Sequence, residues 1–213
     1  MTYKQFRELT GIKITENHTG KMEGMQSLST SCTTNPFCKV RSKDDKSICS
    51  KCYAQRMMKM YRSLDDCLEV NTKVLTSKIL KEEEIPDINV LYFRFEAFGD
   101  LINEIQLLNY FNICKKNPQT KFALWTKNPW IIERLIEQGY KKPRNLQIIL
   151  SSIYLNVQED VDKYDFVDKV FTVYTKDYIE ENNIKINCGA KSCLKCHKCY
   201  IKSKTKYINE KVK

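Results

Sequence analysis

Eight of the ten cysteines fall in two compact groups far apart along the 213-residue chain, and this distribution constrains the fold more than any other feature. The first group is Cys32-x5-Cys38-x10-Cys49-x2-Cys52, and the second is Cys188-x4-Cys193-x2-Cys196-x2-Cys199. A secreted protein would close such groups as disulfides. The start, Met1-Thr-Tyr-Lys-Gln-Phe-Arg-Glu8, lacks the apolar stretch of a secretory signal, and no run approaches the roughly 20 apolar residues that cross a bilayer. The expectation is a cytoplasmic protein without a membrane segment. In a reducing compartment, clustered thiols point to metal rather than to disulfides.

The two groups specify that metal differently. A Cys-x2-Cys pair serves zinc and iron–sulfur sites alike, so the first group leaves the choice open. In the second, successive two-residue steps within one short run suit a loop wrapped around several irons, whereas zinc usually joins two separated chelating pairs. We therefore expect one or two [4Fe-4S] clusters, with Cys32, Cys38, Cys49 and Cys52 at one site and Cys188, Cys193, Cys196 and Cys199 at the other; zinc is the alternative. The first group ends where a helical pattern begins, and free backbone N–H groups at a helix start favour thiolate. Cys67 and Cys114 sit inside helical patterns and read as small buried hydrophobes.

Between the groups the pattern is that of a layered α/β domain. The runs 89–95, 120–125, 145–150 and 168–174 are β-branched and aromatic and read as strands. Helical patterns lie at 101–116, 129–138 and 177–182, with a weaker one at 157–164. Another, from Cys52 to about Leu80, forms one long helix or two shorter ones broken near residues 63–66. Alternating strand and helix predicts a parallel sheet, either open or closed part-way into a barrel. One domain is expected over residues 1–200, with a Cys-rich loop at 11–52, βα repeats at 89–182 and a cysteine cluster at 188–199. A mobile basic tail follows at 201–213.

Ligands of such sheets lie beyond the carboxyl ends of the strands. The residues expected there are Arg94, Glu96, Gly99 and Asp100, then Thr126 and Lys127, then Ser151 and Ser152, then Thr175 and Lys176. Arg94, Glu96, Asp100, Lys127 and Lys176 are the candidates for chemistry, and Thr126, Ser151 and Thr175 for holding a cofactor. A purely structural reading competes, in which Asp100 caps a helix starting at Leu101 and Arg94 pairs with Glu96. His18 and His197 are the only histidines, which disfavours a Ser-His or Cys-His mechanism and leaves acid–base work to carboxylates, lysine or tyrosine. Lys+Arg 36 against Asp+Glu 26 gives a formal charge of +10, so nucleic acid is a candidate partner.

Cys49-Ser-Lys-Cys-Tyr-Ala54, the helix with Arg56 and Arg62, Arg94 through Gly99-Asp100, Trp125-Thr-Lys127 and Cys193-x2-Cys196-x2-Cys199-Tyr200 occur in an order that resembles the bacteriophage gene product 88 family. More distantly, they resemble radical-SAM-like phage proteins. The resemblance implies a truncated (β/α) barrel like that of radical-SAM enzymes, in which a [4Fe-4S] cluster binds S-adenosylmethionine through an open iron. It also implies a phage-encoded protein of the host cytoplasm. In that reading Cys38, Cys49 and Cys52 hold the cluster, and Cys32 is a fourth ligand or free. The chain lacks the Cys-x3-Cys-x2-Cys run usual in radical-SAM enzymes, and no glycine-rich stretch follows its first predicted strand.

Overall fold

The computed structural model describes residues 1–212. A single sheet forms its frame, built of β1 (Thr15–Glu16), β2 (Gln26–Leu28), β3 (Tyr92–Phe95), β4 (Lys121–Thr126), β5 (Leu146–Ser151), β6 (Lys169–Tyr174) and β7 (Tyr207–Lys211). The strands lie side by side in chain order, and β1 does not pair with β7, so the sheet is open. β1 runs antiparallel to β2, and every later neighbour pair is parallel. The helices are α1 (Tyr3–Thr10), α2 (Pro36–Arg41), α3 (Tyr53–Met60), α4 (Arg62–Ser77), α5 (Glu104–Lys116), α6 (Trp130–Glu137), α7 (Lys176–Asn182) and α8 (Cys193–Cys196). None is long and apolar enough to cross a membrane.

Strand alternation sorts the side chains onto two unequal faces. Phe93, Phe95, Phe122, Leu124, Ile148, Leu150 and Val170 point to the face covered by α4, α5 and α6, where they bury Leu75, Leu107, Phe111, Ile132 and Leu135. Phe95 stacks on Tyr110 at 4.2 Å and on Phe122 at 5.3 Å. On the opposite face, register aligns Arg94 with Ala123 and Gln147, and Trp125 with Ile149 and Lys169. A smaller core of Met25, Ala123, Ile149 and Tyr200 closes that face. The residues around the second cysteine group therefore cover the side of the sheet that α4, α5 and α6 leave open.

The four predicted strands are β3 to β6. The long helical pattern is two helices that meet at Tyr61, and residues 157–164 hold only a short 3-10 turn at Val161–Lys163. Two expectations need larger correction. Residues 11–52 are not one loop: they contain β1, β2 and α2, and β2 is the first parallel strand of the sheet. With two and three residues, β1 and β2 are too short to show a period. The expected mobile tail at 201–213 instead supplies the edge strand β7, paired with β6 from Tyr207 to Lys211. Its one fully buried apolar residue, Ile208, is flanked by polar and charged residues, as suits an exposed sheet edge. Lys213 lies outside the described residues.

The turns leaving β2 and β3 approach closely at Gly99. A β-carbon there would stand 2.5 Å from both the carbonyl oxygen and Oγ1 of Thr30, and 2.6 Å from Glu96 Oε2. Gly99→Ala should cost roughly 1–3 kcal/mol through forced backbone displacement. The expected readout is a lower urea midpoint at unchanged slope; a midpoint equal to that of the wild type would show that the turn opens freely.

Candidate metal centre

Because β2 runs parallel to β3, the chain leaves it at the carboxyl edge of the sheet, and the first cysteine group follows from there. Asn71 of α4 holds Ser29, donating from Nδ2 to its carbonyl at 3.0 Å. Asn35 caps α2, accepting from Phe37 N at 2.9 Å and Cys38 N at 3.4 Å, and donates to the Asp100 carbonyl at 2.9 Å. Ser47 caps a 3-10 turn at Ile48–Lys51, accepting from Cys49 N at 3.1 Å. The Ile48 amide donates to Ile153 O at 2.9 Å, and Ser47 bridges Tyr154. The segment thus reaches from the end of β2 to the loop after β5. Tyr53, the first residue of α3, donates its hydroxyl to the Ala97 carbonyl after β3.

These anchors bring the four thiols into one neighbourhood. Cys32 is buried with Ala54, Met58 and Leu68, and Cys38, Cys52 and Phe98 pack against that patch. A hydrogen bond to Cys52, then burial, pushes the Cys32 thiol well up. The same bond pulls Cys52 down to about 6 against the effect of burial, helped by the Gln55 and Ala54 amides and the Lys127 charge. The amides at the start of α3 thus add to the downward pull that the Cys32 bond exerts on Cys52. Burial first, then the charges of Asp100, Cys49 and Cys52, raises Cys38, with Lys127 opposing.

The second group lies between α7 and β7, over the sheet face opposite α4, α5 and α6. The Cys188 amide donates to Asn209 O at 3.0 Å. Lys21, in a 3-10 turn at Gly20–Met22, donates to Cys188 Sγ at 3.1 Å, to its carbonyl at 3.2 Å and to Glu210 Oε1 at 2.8 Å. Cys193 and Cys199 pack against the core of Met25, Ala123, Ile149 and Tyr200. Tyr92 stacks on His197 at 5.5 Å, and Tyr200 meets Trp125 edge-on at 5.9 Å. Burial, then the neighbouring thiolate charges, pushes Cys199 up to about 12, with the Arg94 guanidinium pulling the other way. Arg94 lies over the Trp125 ring at 4.1 Å, and its Nε is buried without a partner. Gln147 Oε1, on the same face, is also buried and unpartnered.

Each quartet is thus gathered tightly enough for its members to feel one another's charge. Among the described residues, no three His, Cys, Asp or Glu side chains close around a single ion-sized point. A cubane makes a different demand, because each thiolate takes its own iron and the four stand farther apart than around one ion.

The model of one protein family, described as Gene product 88, matches residues 4–211. The chain belongs to the Gene product 88 family. Neither curated proteins nor solved structures gave a match. The Gene product 88 match takes in both quartets and all seven strands.

In this Gene product 88 protein the strand-end residues divide into two kinds. Glu96 and Asp100 are buried and bonded internally. Glu96, in a left-handed conformation at φ 54°, accepts from Thr30 N at 3.2 Å, Thr30 Oγ1 at 3.1 Å, Gln106 Nε2 at 2.7 Å and the Tyr110 hydroxyl. Asp100 accepts from Thr126 Oγ1 at 2.5 Å, Leu101 N at 2.8 Å and Lys127 N at 2.9 Å. It does not cap α5, which starts at Glu104 and is capped by Asn103. Nor does Arg94 pair with the Glu96 carboxylate; it reaches only the Glu96 carbonyl, at 3.5 Å.

Lys127 carries its charge toward Cys38 and Cys52. Ser151 is buried in β5. Thr175 caps α7, accepting from Tyr178 N at 3.4 Å, and Lys176 sits apart from both quartets in an exposed pair with Glu180. Lys21 and Gln147 were not among the residues the sequence singled out. Neither lies in a motif, and only strand register and the turn before β2 reveal their positions.

Burial raises the Glu96 carboxyl to about 7, against the donors from Tyr110 and Thr30. A carboxyl raised in the folded state contributes its stability fully below the ordinary carboxylate value near 4.5, and loses it as pH rises through about 7. Between these limits the loss is on the order of 3 kcal/mol. Comparing urea unfolding of the wild type with Glu96→Gln across pH 4–9 should show the wild type falling further by about that amount. Parallel curves would mean that Glu96 does not titrate in this range.

Proposed function

We propose that this protein is an iron–sulfur enzyme of one-electron chemistry, with a [4Fe-4S] cluster at each cysteine quartet and a reaction site at the carboxyl edge of a radical-SAM-like partial barrel. One observation carries the reading: the two cysteine groups of the sequence each stay together in the fold, and both are docked on the same sheet. One group follows the first parallel strand at its carboxyl edge, and the other lies on the face opposite α4, α5 and α6. Six parallel strands in chain order, with α4, α5 and α6 on one face, suit a sheet that curves part-way around a ligand.

At the carboxyl edge Cys38, Cys49 and Cys52 are half-buried, whereas Cys32 is fully buried behind them. That difference supports three ligands facing the mouth of the barrel, with Cys32 as a fourth or as a donor to Cys52. A cluster held there would supply single electrons to a bound cosubstrate such as S-adenosylmethionine. The chain's own contributions are an apolar wall of Ala54, Met58 and Phe98 that limits water, and the Lys127 cation that favours an anionic substrate at the edge. Asp100 fixes Lys127 by accepting its backbone amide.

Anaerobically purified protein should contain iron and sulfide at roughly four irons per quartet and give an EPR signal after dithionite reduction. Cys49→Ser and Cys196→Ser should each remove about half of the iron, and equilibrium dialysis should detect S-adenosylmethionine binding that Cys49→Ser abolishes. Zinc alone under iron-replete expression would sink the redox reading. Together with nucleic-acid affinity that falls steeply with salt, it would replace that reading with a metal-stabilised binding module.

A further inference from the structure

The two quartets sit in opposite electrostatic surroundings. Near the first, Asp65 accepts from Ser31 and Thr33 on either side of Cys32, and the charges of Asp65 and Asp100 bear on Cys32 and Cys38, with Lys127 opposing at Cys38. Near the second, Lys21 and Arg94 both face Cys193, and Glu210, the carboxylate beside Cys188, already accepts from Lys21. The short turn at Gly20–Met22 organises this arrangement, since Lys21 bonds Cys188 while the next residue, Met22, accepts from Arg94 Nη1 at 3.3 Å. The Lys21 and Glu210 side chains are each about a quarter exposed or less, so water screens their charges only in part.

Lys21 Nζ donates to Cys188 Sγ at 3.1 Å and to Glu210 Oε1 at 2.8 Å, which sets an ammonium directly against a ligand sulfur. A cation hydrogen-bonded to a ligand sulfur stabilises the more negative, reduced form of an iron–sulfur cluster. Nothing in the proposed cluster chemistry requires a lysine at this sulfur. Its triple anchorage, to Cys188 Sγ, the Cys188 carbonyl and Glu210, marks it as a built contact rather than a passing one.

Resting on the proposal that both quartets hold clusters, we infer that Lys21 is a positioning residue for the C-terminal cluster: it donates to Cys188 Sγ and makes this cluster the more easily reduced of the two. Reduction adds one electron to the cluster and changes no bond of Lys21. The turn before β2 therefore sets the order in which the two sites fill with electrons.

An EPR-monitored potentiometric titration of the anaerobic full-length protein tests this, with Cys49→Ser assigning the C-terminal signal. The wild type should show the C-terminal signal titrating at the higher potential. Lys21→Met should shift that midpoint to lower potential, Lys21→Arg should restore it, and Glu210→Gln should shift it upward by removing a negative charge. The N-terminal midpoint should not move. Midpoint shifts of the same sign in Lys21→Met and Glu210→Gln would indicate a merely structural role and overturn the inference, as would shifts in both clusters or in neither. Iron confined to the N-terminal quartet, or absent, would overturn it too, and metal analysis would assign that failure to the two-cluster reading rather than to Lys21.

Discussion

One buried carboxyl, that of Glu96, joins three parts of the chain. It accepts from Thr30 in the turn after β2 and from Gln106 and Tyr110 on α5, while its own backbone turns the chain out of β3. Four donors on one carboxyl fix the angle at which the first thiol-bearing segment leaves the sheet. Gly99 permits the approach by having no side chain, and Asp100 extends the same network to β4 through Thr126 and Lys127. The cysteines downstream inherit their placement from this junction.

The charged residues at the strand ends divide their labour accordingly. Residue types alone suggest a carboxylate pair beside an arginine, poised for acid–base chemistry. In the folded chain the carboxylates bind backbone and hydroxyl donors, and the guanidinium lies over Trp125 near the other quartet. Trp125-Thr-Lys127 and Tyr174-Thr-Lys176, each an aromatic residue, threonine and lysine at a strand end, diverge in the same way. Thr175 caps its helix and Lys176 faces solvent, whereas Thr126 serves Asp100 and Lys127 turns toward thiols. The same residue types at two strand ends thus take different roles, for the threonine as well as for the lysine.

What could be read from the chain in advance follows from length and period. β3 to β6 run four to six residues with dense apolar side chains, which is enough to register as strands. β1 and β2 are shorter than one detectable period, and β7, at the sheet edge, carries Asn209, Glu210 and Lys211 in its five residues, which hides its period. The cysteine groups were legible because spacing survives any fold. Lys21 was not, since its significance comes from β7 and the second quartet, which return to it from about 170–190 residues away in sequence.

The anchorage of the cysteine segments has a bearing on how the chain matures. The first quartet's segment docks on Ile153 and Tyr154, and the second depends on Lys21, Asn209 and Glu210. During synthesis, the N-terminal thiols therefore emerge well before the last of their anchors, Ile153 and Tyr154, has been made. The C-terminal site is completed only when β7 adds to the sheet edge and carries Glu210 to Lys21. Docking of both segments is thus completed late, coupled to closure of the longest loops in the molecule: the first adds Ile153 and Tyr154 to its earlier anchors, and the second waits for β7.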